Sequence, residues 1–128
     1  MAGTKQRVVV VGASPKPERY SNRAVALLLE HSHDVIPVNP NAGVIHGLPV
    51  VKDLAAIDGH VDTVTLYVSE AVSSLLEDAL VKLGPDRVIF NPGAENPALQ
   101  QALKAKGIAT LEACTLVLLK TNQFDKAR

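Results

Sequence analysis

The stretch Arg7-Val8-Val9-Val10-Val11-Gly12-Ala13-Ser14 decides the fold of this chain. Its four consecutive valines are β-branched, and an apolar run without alternation is typical of a strand that is covered on both faces of a parallel sheet. Gly12 ends the run and allows the backbone to turn tightly. The stretch therefore predicts a central parallel strand at Arg7–Val11, followed by a loop at its carboxyl end.

Strand-like and helical segments alternate along the rest of the chain. The further predicted strands are Asp34–Val38, 63–68, Arg87–Phe90 and 108–111. The predicted helices begin at the capping residues Ser21 and Ser69, at Asn96-Pro97, and near Cys114 or Thr115. Such alternation implies parallel strands joined by right-handed crossovers. The predicted fold class is α/β, a doubly wound and mainly parallel five-stranded sheet with helices on both faces, in three layers.

Two local features refine this prediction. Pro37 cannot donate a ladder hydrogen bond, so the second strand is expected at or near an edge of the sheet. The helix that begins at Ser69 is expected to continue to Gly84-Pro85, because apolar residues recur at helical spacing along it. These apolar residues are Leu75, Leu76, Ala79, Leu80 and Leu83.

Length, charge and cysteine content limit the classes of function. The 128 residues suit one domain, predicted over 1–128. Basic and acidic residues balance at 13 each, which argues against nonspecific binding to nucleic acid or an anionic membrane. One cysteine excludes an internal disulfide, and no segment approaches the roughly 20 apolar residues of a membrane span. The apolar run after the N-terminus is too short for a signal peptide, so we expect a cytoplasmic protein.

The loop after the first strand carries the features of a phosphate site. Gly12 permits a tight turn, free amides and a helix N-terminus favour an anion, and basic residues follow. The side chains that can add donors are Ser14, Lys16, Arg19 and Arg23. The second and third glycines of the dinucleotide fingerprint are missing. A plain strand-to-helix turn with solvated basic residues remains the alternative.

The loop Val38-Asn39-Pro40 follows the second strand. NAD enzymes usually carry an acidic residue here that binds the ribose hydroxyls, whereas this chain has Asn39. Asn39 could still hydrogen-bond a ribose or an adenine, and Pro40 offers an apolar edge; a simple Asn-Pro turn is the alternative. At the next two loops, Val68-Ser69 and Pro92-Gly93 could line a ligand or only form a helix cap and a turn.

Four short motifs occur in a specific order: G-A-S at 12–14, V-I-P-V-N-P at 35–40, N-P-G-A-E-N at 91–96 and E-A-C-T-L at 112–116. Together they resemble the stand-alone CoA-binding proteins, which are similar to the N-terminal CoA-binding domain of the succinyl-CoA synthetase α subunit. The resemblance covers essentially the whole chain. It departs from the family at Ser32-His33-Asp34, where members often carry a glycine-aromatic pair.

The resemblance implies a Rossmann-like fold and a site for coenzyme A or an acyl-CoA. It implies that the nucleotide end of CoA is held by Gly12, Ala13, Ser14, Val38, Asn39, Pro40 and the edge around Val68. Charge adds Lys16, Arg19 and Arg23 to this set, and the loop with Pro92 and Gly93 is expected to receive the pantetheine arm.

No catalytic apparatus is predicted. The synthetases transfer a phosphoryl group through a histidine of another domain, which this chain is too short to include. The four histidines, His31, His33, His46 and His60, lack metal-ligand spacing, so no metal site is predicted. Cys114 follows the last strand and opens the last helix, where a thiolate is favoured. A mixed disulfide between CoA and Cys114 therefore stands beside inert packing as an alternative.

The sequence thus predicts a CoA-binding protein without its own catalysis, acting as a carrier, a sensor or a subunit for another protein. A protein partner and a homo-oligomer both stay open. An NAD(P)-binding regulator is one alternative, against which the missing glycines and the missing acidic anchor count. A small nucleotide-dependent enzyme that uses Cys114 is another, although no nucleophile-base pair is found.

Overall fold

A five-stranded parallel sheet forms the centre of the protein, in a computed structural model that describes residues 5–41 and 43–125. In chain order the strands are β1 (Arg7–Val11), β2 (Asp34–Val38), β3 (Val44–Ile45), β4 (Leu48–Pro49), β5 (Thr63–Leu66), β6 (Arg87–Phe90) and β7 (Ala109–Glu112). The sheet has the order β2-β1-β5-β6-β7 with every pairing parallel, while β3 and β4 form a separate antiparallel hairpin. The predicted edge position of β2 is confirmed.

The helices cover both faces of the sheet. They are α1 (Tyr20–Glu30), α2 (Glu70–Ser74), α3 (Glu77–Leu83), α4 (Pro97–Ala105) and α5 (Thr115–Lys120), with a short 3-10 turn at Leu54–Ala56. Val8 and Val10 pack with residues of α1 and α5, whereas Val9 and Val11 pack with residues of α3 and α4. Alternate side chains of β1 therefore enter two different cores, which explains its continuous apolar sequence and confirms the three-layer α/β fold.

No helix within the described ranges combines the length and the apolar character that crossing a membrane requires. The predicted single domain over 1–128 includes residues 1–4, 42 and 126–128, which lie outside those ranges, and it stays a prediction.

The start of α1 differs from the prediction. Arg19 is the N-cap residue, and Ser21 lies one residue inside the helix, where it is buried. The physical reason is a preceding turn in which the Arg19 amide donates to the Lys16 carbonyl at 3.1 Å. This turn directs the backbone into the helix before Ser21 is reached, so the prediction that Ser21 caps α1 was wrong.

The single helix predicted after Ser69 is two helices. The cap itself is confirmed, because the Ser69 hydroxyl accepts from the Val72 amide at 3.3 Å. The amides of Leu75 and Leu76 then bond three residues back instead of four, and this tighter turn separates α2 from α3. Leu75 is consequently 84 % exposed and does not belong to the buried stripe that its spacing predicted.

Contacts with α4 account for this break. The buried Asn96 side chain donates from Nδ2 to Ser73 Oγ at 2.8 Å and to Ser74 Oγ at 2.9 Å. Its Oδ1 accepts from the Leu99 amide at 3.1 Å, which is the predicted N-cap of α4. Asn96 thus ties α2 to the start of α4, whereas α3 packs against both α4 and the 3-10 turn on the same face of the sheet. Helical spacing does not reveal such a distant anchor.

The carboxyl end of β1 lies in close contact with the ends of its two neighbouring strands, β2 and β5. The amides of Gly12 and Ala13 both donate to the Val38 carbonyl, at 3.0 and 3.1 Å. Gly12 has φ +84°, and a Cβ atom there would lie 2.9 Å from the Tyr67 carbonyl oxygen and 2.8 Å from Val68 Cγ1. Only glycine fits this turn without strain.

We expect Gly12→Ala to destabilise the fold more than Gly107→Ala. Gly107 has a matching φ of +81° but open space around a Cβ, so its substitution adds only backbone strain, about 1 to 3 kcal/mol. At Gly12 the clash with the Tyr67 backbone adds about 1 to 3 kcal/mol more. Urea unfolding followed by circular dichroism measures both losses. An equal loss in the two variants would contradict the close approach of β1 to β5.

Candidate functional site

An open groove of about 490 Å³ lies at the carboxyl ends of β1, β5 and β6. Its walls are formed by Gly12, Ser14, Lys16, Arg19, Tyr20, Ser21, Tyr67, Val68, Ser69, Pro92, Gly93 and Ala94. The chain leaves β1 toward β2 on one side and later returns to β5 on the other, so the groove sits at the switch point of the sheet. This is the place where doubly wound α/β proteins bind ligands.

The structure brings most of the predicted binding residues to this groove. Those on its walls are Gly12, Ser14, Lys16, Arg19, Val68, Pro92 and Gly93. Those that do not line it are Ala13, Arg23, Val38, Asn39 and Pro40. Ala13 and Val38 are buried behind the turn, where the Ala13 amide donates to the Val38 carbonyl. In the structure these two residues therefore shape the loop.

Two amides of the glycine turn are bonded within the protein. The Gly12 and Ala13 amides are bonded to Val38, and the Lys16 amide donates to the Ser14 hydroxyl oxygen at 3.2 Å. The Gly12 and Ala13 amides are therefore not available to a phosphate, whereas the Ser14 amide has no hydrogen-bond partner among the described residues, and its use by a phosphate stays a prediction. The Gly12 and Ala13 amides are occupied because the carbonyl at the end of β2 reaches the turn before any ligand can.

The N-terminus of α1 supplies unpaired amides instead. The first bond within this helix runs from the Arg23 amide to the Arg19 carbonyl, at 3.1 Å. The amides of Tyr20, Ser21 and Asn22 therefore have no partner within the helix, and the Arg19 side chain does not cap them. Tyr20 and Ser21 lie on the groove wall, so the positive end of the helix dipole borders the groove.

The charged side chains on the groove wall are all basic. Lys16 and Arg19 are exposed and line the groove, and its described lining contains no carboxylate. The Arg23 guanidinium carbon lies 5.5 Å from the centre of the Tyr20 ring, in a cation–π arrangement. Tyr20 is 67 % exposed, which leaves the ring accessible. Lys16 and Arg19 favour an anionic ligand at the α1 side of the groove, whereas on the opposite side the Glu95 carboxylate accepts from the Gly93 amide at 2.9 Å.

Two asparagines hold the loop from behind. Asn22 Nδ2 donates to the Ser14 carbonyl at 2.8 Å, and Asn39 Nδ2 donates to the Ala13 carbonyl at 2.6 Å. The Asn22 side chain is buried and is oriented in turn by His46 Nε2, 2.8 Å from its Oδ1. Both loop carbonyls are thus bonded within the protein, so the loop is fixed before a ligand binds.

The sequence pattern did not indicate these side-chain bonds to the loop. Most of α1 and the strands β2 and β3 separate Asn22 from His46 in the chain, and only the fold brings the two residues together. Asn39 was expected to contact a ribose or a base, but its Nδ2 is bonded to Ala13 and its Oδ1 accepts from the Asn41 amide at 2.7 Å. A ligand contact of Asn39 stays a prediction, and it would use the remaining amide hydrogen or lone pair.

Tyr67 lies at the base of the groove. The sequence pattern did not indicate this residue. Burial raises the pKa of Tyr67 to about 12, against the opposing effect of the neighbouring Thr115 and Thr65 hydroxyls. In the described part of the chain, neither threonine hydroxyl forms a hydrogen bond with the buried Tyr67 oxygen. The two threonine hydroxyls lie 2.8 Å from each other, and Asn91 Nδ2 donates to Thr65 at 2.6 Å. Tyr67 therefore stays neutral at physiological pH.

Cys114 lies beside this base but outside the groove wall. It is the N-cap residue of the short helix α5 and is half-buried. The described lining of the groove does not include it. The helix position that was predicted for Cys114 is confirmed, whereas the mixed disulfide with CoA stays a prediction.

Known proteins share this fold and part of this sequence. The chain is 32 % identical over 105 residues to the uncharacterized protein YneT of Bacillus subtilis, covering 80 % of this chain and 76 % of YneT. It is similar to the crystal structure of an uncharacterized protein, with a TM-score of 0.90, 36 % identity, and 94 % and 99 % of the two chains covered.

The fold also recurs inside a larger enzyme. Acetyl-coenzyme A synthetase 1 of Ca. Korarchaeum cryptofilum matches with a TM-score of 0.73 and 22 % identity. The match covers 84 % of this chain but only 25 % of that one, so it shows the fold alone.

The family assignment rests on nearly the whole chain. The model of the CoA binding domain matches residues 6–120, which include β1, the groove-lining loops and α5. The resemblance drawn from the four short motifs is thereby confirmed. With its five-stranded parallel sheet and its groove at the switch point, this chain belongs to the CoA-binding domain family.

Proposed function

We propose that the protein binds coenzyme A or an acyl-CoA, with the diphosphate and adenine nucleotide at the groove. The observation that carries this proposal is the uncapped N-terminus of α1, which borders the groove beside Lys16 and Arg19. Unpaired helix amides and nearby cations together form a site for phosphate groups. Membership of the CoA-binding domain family supports CoA as the ligand that brings them.

The chain offers three kinds of donor to a diphosphate. The Tyr20 and Ser21 amides point along the dipole of α1, and Lys16 and Arg19 supply charge. The Ser14 hydroxyl oxygen already accepts from the Lys16 amide, so its hydrogen remains available to a phosphate oxygen. These donors would hold the diphosphate without any movement of the turn at Gly12.

The rest of the ligand would extend to either side of this point. The adenine and ribose would lie toward the end of β2, against Asn39 and Pro40. The pantetheine arm would follow the other side of the groove, where Val68 and Pro92 give apolar walls. Gly93 has φ +90° and no atom within 4 Å of a Cβ position, which leaves this side open.

We further propose binding without catalysis. The described wall of the groove carries no histidine, cysteine or carboxylate that could serve as a general base or a nucleophile. A role as a carrier, a sensor or a subunit follows, with an acyl group carried passively. No feature of the described groove favours an NAD(P)-binding regulator or a small nucleotide-dependent enzyme over a CoA-binding protein.

A ligand comparison tests the proposal. We expect CoA and acetyl-CoA to raise the melting temperature of the protein, since a ligand that binds only the native state stabilises it by about 2.7 kcal/mol at 100 times its Kd. NAD and ATP at the same concentrations serve as matched nucleotide controls and should give smaller shifts. Thermal denaturation measures all four. The absence of a shift with both CoA species would contradict CoA binding.

Charge-removing variants test the diphosphate position. Lys16→Ala and Arg19→Ala should each weaken CoA binding about tenfold, because each removes a charge-assisted contact with a phosphate. Lys104→Ala is the matched control, since Lys104 is exposed in the last turn of α4 and away from the groove. Titration calorimetry at two salt concentrations measures the affinities. If all three variants bind as the unmodified protein does, the diphosphate lies elsewhere.

A further inference from the structure

A cluster of one histidine and two aspartates lies at the end of the sheet opposite to the groove. Asp62 immediately precedes β5 and Asp86 immediately precedes β6, so the parallel pairing of these strands sets the two carboxylates side by side. His60 Nε2 lies between them, 3.3 Å from Asp62 Oδ1 and 3.2 Å from Asp86 Oδ2. The proposed function does not use any of these three side chains.

The two distances from His60 Nε2, one of which is also that of a hydrogen bond to Asp86, are compatible with ligands around one metal ion. Ligand atoms bonded at about 2.0 to 2.1 Å to a tetrahedral zinc ion lie about 3.3 Å from one another. The two distances from His60 Nε2 agree with this value, and all three candidate ligand atoms lie within 4.8 Å of one another. One imidazole and two carboxylates form a donor set that suits zinc and related divalent transition metals.

Arg7, the first residue of β1, orients this cluster from outside it. Asp62 Oδ2 accepts from the Arg7 amide at 2.7 Å, which leaves Oδ1 directed toward His60. Arg7 Nη1 donates to the carbonyls of Asp58 and His60, at 2.6 and 3.1 Å, and so fixes the loop that carries the imidazole. Partners of this kind, which hold a ligand in place through its other atoms, are typical of metal sites.

The charges of the cluster also call for a cation. Within the described ranges, the ion pairs of Asp62 and Asp86 are both with His60, which is charged only when it is protonated. The Arg7 guanidinium donates to backbone carbonyls rather than to either carboxylate. Two carboxylates that share one site repel each other, and a divalent cation between them removes that repulsion.

We propose that His60, Asp62 and Asp86 bind a divalent transition metal ion of the zinc class. The side chains are 61 %, 30 % and 42 % exposed, so a water molecule can complete a four-coordinate shell. Magnesium and calcium prefer six or more oxygen ligands, and the imidazole disfavours them. The bound ion would clamp the loops before β5 and β6, far from the groove, so it is a structural site.

Sequence spacing alone could not indicate this site. The prediction of no metal site rested on the spacing of the histidines, and only His60 takes part here. Asp86 comes from a segment beyond two helices, and the parallel register of β5 and β6 brings it to Asp62.

Metal titration of the full chain tests the proposal, with Cys114→Ser as the background so that the thiol does not contribute. We expect zinc to bind saturably with a stoichiometry of one by calorimetry, and cobalt(II) to give the visible absorption of a tetrahedral ion. Binding should weaken at least tenfold in His60→Ala and in Asp86→Asn. His31→Ala is the control, because His31 is exposed and outside the cluster.

Two results would overturn the proposal: no saturable binding of zinc or cobalt, or equal affinity in His60→Ala, Asp86→Asn and the control. Magnesium or calcium binding as tightly as zinc would refute the metal class. Circular dichroism checks that each variant is folded, and the isosteric Asp86→Asn decides the outcome if His60→Ala is not. CoA binding, measured on the same variants, should be unchanged, which separates this site from the groove.

Discussion

The fold and the groove both depend on one carbonyl oxygen, that of Val38. It accepts the amides of both Gly12 and Ala13 and so turns the chain sharply where β1 ends. The turn brings Gly12 so close to the Tyr67 carbonyl that a side chain at this position would clash with it. The segment that follows is thereby carried over the ends of β1 and β5, where α1 begins. The positive end of α1 borders the groove for this reason.

The same turn explains how a neutral chain can form a local anion site. Asn22 and Asn39 bind the Ser14 and Ala13 carbonyls, and Val38 accepts the Gly12 and Ala13 amides, so these polar atoms of the turn are paired within the protein. What remains for a ligand is the first turn of α1, with Lys16 and Arg19 beside it. The rigid part of the loop therefore positions the donors, and the start of the helix supplies them.

The sequence predicted the sheet well because its signals are local. The valine run of β1, Pro37 in β2 and the Asn96-Pro97 cap of α4 each indicate structure within a few residues, and the structure confirms all three. The start of α1 was placed two residues late, and one helix was predicted where α2 and α3 stand. The first error comes from the turn between Lys16 and Arg19, which has no clear signal in the residue types. The second comes from a distant part of the chain, through the bonds of Asn96 to α2.

The groove was predicted less completely than the sheet. Glycine and basic residues after β1 indicated its position, but the partners of individual amides depend on where β2 ends, which spacing does not encode. The most direct test of the account observes these amides in ¹H–¹⁵N spectra during a titration with CoA. The account predicts the largest shifts at Tyr20, Ser21 and Asn22, with Gly12 and Ala13 keeping their protection from hydrogen exchange. Shifts confined to residues outside the groove, or none at saturating CoA, would contradict it.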